Sequence, residues 1–194
     1  MNAAECRPEP ADAAEVKIVF SGPMGAGKTT AIAAISEVSP VRTEVGNNDR
    51  AAFDKDSTTV ALDYGQITLG DGTVVRLYGT PGQERFDFMW SILGRGALGV
   101  VLLLDASQTE ALHQLDRYLE AFADAVRDGA LVIGVGRSEQ PGALSMHEFS
   151  RRVARLDHAV PMFSVDVRRR EHVLLLVETL TCLLEATEAT EASP

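Results

Sequence analysis

The sequence predicts an α/β fold around a mostly parallel β-sheet, and two observations support this prediction. The glycine-rich segment GPMGAGKT, residues 22–29, lies between a short apolar run and a helix-forming run. Beyond it, short apolar segments alternate with longer segments of helical periodicity. Strands that alternate with helices in this way are typical of a parallel sheet covered by helices. The 194 residues suit one domain with a sizeable core.

Residues 16–78 predict three strands and one helix. Apolar residues 16–20 predict a strand, and the helix after the glycine-rich segment runs to about Val38. Proline, glycine and many charges in residues 39–57 predict a long exposed loop, and such loops in compact domains are usually functional. Residues 58–69 and 73–78 predict two strands joined by a Gly-Asp-Gly turn. A turn this short makes the two strands antiparallel neighbours.

The second half predicts three strands and four helices. A helix runs through Trp90 to about Leu93, and the solid apolar run 99–104 predicts a fully buried strand. The remaining elements are a helix over 109–127, a strand over 130–135, a helix over 145–156, a strand over 162–165 and a helix over 171–185. We therefore expect a flexible leader at 1–14, one domain at 15–186 and a flexible tail at 187–194.

The glycine-rich segment has the pattern G-x-x-x-x-G-K-[ST] between a strand and a helix, which is the context of a phosphate-binding loop. In such a loop, backbone N–H groups point at phosphate oxygens, and the N-terminus of the following helix adds partial positive charge. We expect the lysine to reach the outer phosphates and the next hydroxyl to bind Mg²⁺. The predicted nucleotide contacts here are Gly22, Met24, Gly25, Ala26, Gly27, Lys28, Thr29 and Thr30, with Lys28 also catalytic and Thr29 also a metal ligand.

Composition and charge argue against several classes of function. Twenty-eight acidic and eighteen basic side chains give a net charge of −10, which argues against a general nucleic-acid binder. The two cysteines, Cys6 and Cys182, suggest a reducing compartment without a disulfide framework. No apolar segment is long enough to cross a bilayer, and neither a secretory signal nor a lipidation motif is visible. We therefore expect a cytoplasmic protein with no intrinsic membrane anchor.

Two further stretches resemble the switch regions of Ras-superfamily GTPases. Residues 59–64, TVALDY, resemble the end of switch I, and residues 78–86, YGTPGQERF, resemble switch II. Together with RGALG at 95–99, they resemble a bacterial subset, the small GTPases of conservon operons and the gliding-polarity (MglA-type) proteins. The resemblance implies a three-layer P-loop NTPase fold, the Ras-like G domain, with a mostly parallel six-stranded sheet and one antiparallel strand pair. It also implies a switch that binds GTP with Mg²⁺ and hydrolyses it to GDP, with a roadblock/LC7-type protein as partner.

The resemblance assigns roles to residues of both switches. Thr59 would give its hydroxyl to Mg²⁺ and its backbone N–H to the γ-phosphate, although the neighbouring Thr58 competes for this role. Gly82 would donate its N–H to the γ-phosphate, and Gln83 would orient the attacking water. Met24 lies where Ras has glycine, and a bulky side chain there suggests slow intrinsic hydrolysis.

The sequence departs from the family pattern at the metal. Gly79 stands where the superfamily usually has an aspartate that holds Mg²⁺ through water, and the bacterial subset shares this loss. Asp63 and Asp105 are conceivable substitutes, but Asp105 is better interpreted as a helix cap. No internal arginine finger is evident, and Arg50 and Arg85 are the alternatives.

The base-recognition motif is the most altered part of the pattern. Where the family has Asn-Lys-x-Asp, this chain has GRSE at 136–139. Arg137 can replace the lysine stem that packs on the base, and Glu139 can replace the aspartate, but Gly136 cannot replace the asparagine. Asp166 falls where the last base-contacting loop of the family lies. A changed set of polar partners alters base discrimination strongly, so guanine or adenine preference stays open.

A slow GTP-hydrolysing switch is the principal prediction. The alternatives are a degenerate GTPase that acts as a nucleotide-binding scaffold, and an ATP- and GTP-binding protein with relaxed base specificity. A metabolite kinase would not explain the stretch at 78–86. The arginine run 168–170 is predicted to be a solvated face and not a nucleic-acid or lipid patch.

Overall fold

The computed structural model describes residues 16–39, 41–45, 60–70, 72–83, 90, 93–94 and 96–191. In this part of the chain, the strands are β1 (Val16–Ser21), β2 (Val41–Val45), β3 (Val60–Thr68), β4 (Val74–Gly79), β5 (Gly99–Asp105), β6 (Leu131–Gly136) and β7 (Met162–Ser164). The helices are α1 (Lys28–Ile35), α2 (Ala111–Ala121), α3 (Ala123–Arg127), α4 (Met146–Val153) and α5 (Arg170–Glu191).

The strands form one sheet in the order β2-β3-β4-β1-β5-β6-β7. At its centre, β1 pairs in parallel with β4 and β5, and β6 and β7 continue the parallel part. Because β3 is antiparallel to both β2 and β4, it runs against the other six described strands. The carboxyl ends of the parallel strands therefore meet at one edge of the sheet.

Helices cover both faces of the sheet because its central strands bury side chains on both sides. Every residue of β5 is buried. Val101 and Leu103 join the apolar cluster formed with α1 and α5, whereas Val100 and Leu102 join the cluster formed with α2, α3 and α4. The result is a three-layer arrangement of helices, sheet and helices.

The predicted α/β class with a mostly parallel sheet is confirmed, but the sheet has seven strands in the described residues where six were expected. The additional strand is β2, which forms within the predicted loop 39–57. Its sequence, Val-Arg-Thr-Glu-Val, alternates β-branched and charged residues, which favours an extended chain, and it extends the sheet beyond β3. The sheet accordingly has two antiparallel strand pairs and not one.

Helix bounds differ from the predictions at four places. α4, expected over 145–156, spans Met146–Val153. α1 ends at Ile35, because Ser36 has an extended backbone with ψ 135°. The helix expected over 109–127 is divided into α2 and α3 at Phe122, whose φ of −111° and ψ of 30° are not helical. α5 continues to Glu191 and so includes residues expected to be tail. The expected leader, and most of the helix expected through Trp90, lie outside the described residues. Among those described, no helix combines the length and apolarity needed to cross a bilayer.

Candidate functional site

A cavity of about 590 Å³ opens at the edge where the carboxyl ends of the parallel strands meet. Ligands of open α/β sheets bind at this edge, and small-molecule sites have volumes of roughly 300–1,000 Å³. The predicted site residues that line the cavity are Met24, Gly25, Ala26, Gly27, Lys28, Thr29, Thr30, Gly82, Arg137, Glu139 and Asp166. The structure thus brings the glycine-rich loop and both predicted base-contacting loops around one cavity.

Two glycines give the loop after β1 its shape. Gly22 has a φ of 137°, and a Cβ atom there would lie 2.0 Å from the carbonyl oxygen of Leu103 on β5. Gly27 has a φ of 97°, and a Cβ atom there would lie 2.7 Å from the side chain of Val167. Both positions therefore need glycine. Because α1 begins at the residue after Gly27, the N-terminus of this helix lines the cavity.

Lys28 is the first residue of α1, and 8% of its surface is exposed. Its ammonium group donates to the carbonyl oxygens of Gly22 at 2.6 Å and of Pro23 at 2.7 Å. Burial lowers the pKa of Lys28 from 10.5 to about 8, and the charge of Asp63 acts in the opposite direction. A largely buried cation that lines a cavity favours an anionic ligand, because the ligand would offset the cost of burying the charge.

Asp63 places a carboxylate at the same end of the cavity. The Thr29 hydroxyl donates to its Oδ2 atom at 2.5 Å. In the antiparallel register of β3 and β4, Asp63 lies opposite Gly79. A Cβ atom on Gly79 would be 3.0 Å from the Cβ of Asp63, so the two positions share one space. A carboxylate therefore stands on β3 beside the position on β4 where Ras-superfamily proteins usually have one.

The segment after β4 closes over the glycine-rich loop. The backbone N–H of Met24 donates to the carbonyl oxygen of Gly82 at 3.1 Å, and the hydroxyl oxygens of Ser21 and Thr80 are 3.0 Å apart. Gln83 is exposed and lines a second cavity of about 380 Å³. Met24 also lines this second cavity, and 74% of its surface is exposed. The predicted catalytic glutamine thus lies next to the loop but outside the larger cavity.

Arg137 connects the ends of β5 and β6 to the glycine-rich loop. Its guanidinium forms an ion pair with Asp105, and it donates to the carbonyl oxygen of Gly25 at 3.4 Å. Asp105 also accepts from the backbone N–H of Ser107 at 3.0 Å and from its hydroxyl at 2.6 Å. Burial alone would raise the pKa of Asp105, but these hydrogen bonds and the charge of Arg137 hold this pKa below its usual value.

These contacts correct the predicted role of Asp105. α2 begins at Ala111, so Asp105 is not its cap. The carboxylate instead closes the turn after β5 by accepting from a residue two positions on, as aspartates in turns often do. Because Arg137 and Ser107 occupy its oxygens, Asp105 is also a poor candidate for a metal ligand.

The loops after β6 and β7 form the other end of the cavity. Arg168 donates to the two carboxylate oxygens of Asp166 at 2.8 and 2.7 Å, and this pairing holds the pKa of Asp166 far below its usual value. The hydroxyl oxygens of Ser138 and Ser164 are 2.7 Å apart and join the two loops. Asp166 therefore reaches the cavity with its charge already paired, and Glu139 lines the cavity from the neighbouring loop.

The arginine run after β7 has partners within the protein. Arg169 pairs with Glu171 at 2.5 Å, and Arg170 donates to the carbonyl oxygen of Ile35 at 2.9 Å. The last carbonyl groups of a helix lack intrahelical partners, so Arg170 caps the C-terminus of α1 and joins it to α5. All three arginines are exposed, as expected of a solvated face, and Arg170 has a structural role in addition.

Two predicted site residues do not line the larger cavity, and a third is not among the residues that the structure describes. Gly22 shapes the loop from behind, Gln83 lines the neighbouring cavity, and Thr59 lies outside the described residues. Asp63, which the sequence offered as a conceivable metal ligand, also lines the cavity. The lining residues that sequence reasoning did not assign to the site are Thr80, Pro81, Leu104, Gly136, Gln140, Val165, Val167 and Arg168. Most of them are at, or just after, the carboxyl end of a strand. The predicted strand ends could therefore have indicated that these residues line the site.

A strand, a glycine-rich loop and a helix at the centre of a mostly parallel sheet, with a buried lysine beside a cavity, define the P-loop class of nucleotide-binding folds. A model of the family described as "Conserved hypothetical ATP binding protein" matches residues 42–127.

Two relatives match about half of this chain. The uncharacterized protein MJ1339 of Methanocaldococcus jannaschii is 33% identical over 109 residues, which are 55% of this chain and 63% of that protein. The Ras-related protein Rab-18 of Lymnaea stagnalis is 30% identical over 107 residues, which are 54% of this chain and 47% of that protein. This chain therefore spans less than two thirds of the length of either relative.

A solved structure covers more of the chain. The G domain of the T. maritima FeoB iron transporter superposes with a TM-score of 0.61 at 17% identity, over 87% of this chain and 98% of that one. The chain therefore has the G-domain fold, and its sequence is similar to that of Ras-related proteins.

Proposed function

We propose that this protein is a molecular switch that binds GTP and GDP with Mg²⁺ in the larger cavity and hydrolyses GTP slowly. The observation that carries the proposal is the buried ammonium group of Lys28, which lines the cavity together with the N-terminus of α1. A helix N-terminus and a buried cation both favour a polyphosphate. The similarity to Ras-related proteins and the G-domain fold support the same function.

Thr29 and Asp63 would hold Mg²⁺ beside the phosphates. Their side-chain oxygens lie 2.5 Å apart at the cavity, and hydroxyl and carboxylate oxygens are the hard ligands that Mg²⁺ prefers. Bound Mg²⁺ would neutralise charge on the phosphate oxygens. Thr59 would add a second hydroxyl, as the resemblance of residues 59–64 to switch I implies.

Hydrolysis would depend on residues at the outer end of the glycine-rich loop. Lys28 would stabilise the charge that develops on the phosphate oxygens, and Gln83 would orient the attacking water. The exposed side chain of Met24 lines the same second cavity as Gln83. A side chain of this size would crowd the approach of water and of any activating group from a partner, so we expect slow hydrolysis.

Gln83→Leu is expected to lower single-turnover hydrolysis of GTP roughly 10- to 100-fold, because a group that positions the reacting water is lost. The affinity for GTP should change less than about twofold, since Gln83 does not line the phosphate cavity. The rate is measured with radiolabelled GTP and excess protein. Gln66→Leu on β3, which lines neither cavity, is the matched control. Equal rates for Gln83→Leu and the wild type would remove Gln83 from the mechanism.

The switch-like stretches support a place among the bacterial GTPases of conservon operons and gliding polarity. Such a place implies a roadblock/LC7-type protein as activator or scaffold and a cytoplasmic location. The net charge of −10 fits a protein partner better than a nucleic acid.

Relaxed base specificity is the second candidate function. The family model that matches residues 42–127 is described as ATP binding, and Gly136 and Arg137 replace the usual asparagine and lysine. Asp166 is paired with Arg168, which leaves Glu139 as the carboxylate best placed to accept from a base edge. A cavity whose polar groups match neither base well discriminates weakly between them.

Equilibrium binding of GTP, GDP and ATP with Mg²⁺ tests both candidates. We expect guanine nucleotides to bind at least about tenfold more tightly than ATP, because a carboxylate accepts from the guanine N–H groups and repels the acceptor edge of adenine. Glu139→Ala should reduce the difference between the affinities for guanine nucleotides and for ATP. Equal affinities for GTP and ATP would establish the second candidate. A wild type that binds none of the three nucleotides would refute both, and the chain would then be a scaffold of the same fold.

A further inference from the structure

The backbone at Gly82 occupies the outer end of the phosphate cavity. Its carbonyl oxygen accepts from the backbone N–H of Met24 at 3.1 Å. A Cβ atom on Gly82 would lie 2.6 Å from the Lys28 ammonium nitrogen and 2.6 Å from the Met24 nitrogen. No room for a phosphoryl group remains between Gly82 and these two donors. A third phosphate and Gly82 in this position therefore exclude each other.

Trp90 holds the segment that carries Gly82. Its indole N–H donates to the carbonyl oxygen of Pro81 at 3.1 Å. The ring is 2% exposed and stacks on Tyr118 of α2, with ring centroids 4.1 Å apart and an interplanar angle of 24°. The indole is held by burial in the apolar cluster formed with α2, α3 and α4. Its hydrogen bond in turn holds the peptide group between Pro81 and Gly82 in place.

We propose that Trp90 is a positioning residue that keeps Gly82 over the outer-phosphate end of the cavity and so favours a nucleoside diphosphate over a triphosphate. The inference rests on the proposed nucleotide-binding function and adds a determinant of its phosphate selectivity. A triphosphate has to break the bond between Met24 and Gly82 and move the segment that Trp90 holds. A diphosphate that ends at Lys28 leaves both contacts in place.

The test is the ratio of two affinities, for GDP and for a non-hydrolysable GTP analogue, in the wild type and in Trp90→Phe. Phenylalanine keeps an aromatic ring against Tyr118 but lacks the indole N–H. We expect the affinity for the GTP analogue relative to GDP to rise about fivefold, the factor for one net hydrogen bond. Phe149→Leu, a substitution in the same apolar cluster that touches neither cavity, controls for lost stability and should leave the ratio unchanged.

Gly82→Ala gives an independent measurement if Trp90→Phe does not fold. Its Cβ would collide with Lys28 and Met24, so the closed position is excluded and the same ratio should rise. If the ratio of GTP-analogue to GDP affinity is unchanged or lower in folded Trp90→Phe, the role of Trp90 is overturned. If it is unchanged or lower in Gly82→Ala, the exclusion of a third phosphate by Gly82 is overturned, and the role of Trp90 with it. A wild type that binds neither nucleotide would instead refute the proposed function itself, which distinguishes the two failures.

Discussion

Lys28→Ala is expected to lower the affinity for both GTP and GDP by about 100-fold or more. The ammonium group lies at the cavity with 8% of the residue exposed, and its protein partners are two neutral carbonyl groups. A charge-assisted hydrogen bond contributes about 1.5–3 kcal/mol, and the outer phosphates offer more than one acceptor. Each 1.4 kcal/mol lost corresponds to a tenfold weaker affinity.

The experiment compares Lys28→Ala with Lys17→Ala by titration of a fluorescent GDP analogue. Lys17 belongs to β1, so the control removes the same charge from the same strand–loop–helix unit without touching the cavity. We expect the control to bind within about twofold of the wild type, because Lys17 is half-buried over the Tyr78 ring and does not line the cavity. Similar losses in both variants would mean that net charge, and not the position of Lys28, governs binding.

The phosphate end of the site can be predicted from the sequence because its residues are contiguous. A strand, a short glycine-rich loop and a helix form one local unit, and residues 24–30 all line the cavity. The required spacing is local, so it does not depend on how distant strands pair. The two glycines with positive φ at 22 and 27 are part of the same pattern, and their close contacts with β5 and Val167 explain why the pattern needs them.

Features that depend on strand register could not be predicted in the same way. Asp63 reaches Thr29 because it lies opposite Gly79, and a shift of one residue would turn its side chain to the other face. β2 was expected to be loop because it lies in a stretch rich in charges, proline and glycine, which outweighed its short alternating pattern. Its pairing with β3 cannot be seen in the local sequence. The turn role of Asp105 was missed for a different reason, since an aspartate after a strand suits a turn or a helix cap, and only the start of α2 at Ala111 separates the two. Its ion pair with Arg137 joins residues 32 positions apart and has no local signal.

Asp63→Ala is expected to raise the Mg²⁺ concentration needed for tight GTP binding by about 10- to 100-fold. Loss of one oxygen partner of a metal site typically has an effect of this size. The affinity for GDP without Mg²⁺ should not fall, because the Lys28 contacts with Gly22 and Pro23 remain and a carboxylate that repels the free phosphates is removed. Nucleotide dissociation rates measured across a Mg²⁺ titration report the shift. Asp124→Ala, a carboxylate loss at a side chain that is 86% exposed, is the matched control.

A transfer of the carboxylate between strands separates a metal role from a structural one. Gly79→Asp alone should destabilise the protein, because a Cβ there lies 3.0 Å from the Cβ and 3.2 Å from Oδ2 of Asp63. Asp63→Gly frees this space, so the double variant Asp63→Gly, Gly79→Asp presents a carboxylate from β4 at nearly the same place. Ile32, whose Cδ1 would be 3.2 Å from the new Cβ, can adjust by rotation of its flexible end.

We expect Asp63→Gly to need about 10- to 100-fold more Mg²⁺ for tight GTP binding, as Asp63→Ala does, and the double variant to recover part of the wild-type Mg²⁺ affinity. If Asp63 serves to hold the Thr29 hydroxyl and not the metal, Asp63→Gly will bind nucleotide with unchanged Mg²⁺ dependence. If the carboxylate has to come from β3, the double variant will fold but will not recover the wild-type Mg²⁺ affinity. Recovery would mean that the metal site requires a carboxylate in this space and accepts it from either of two neighbouring strands, so the loss of an aspartate at Gly79 is compensated by the residue directly opposite it.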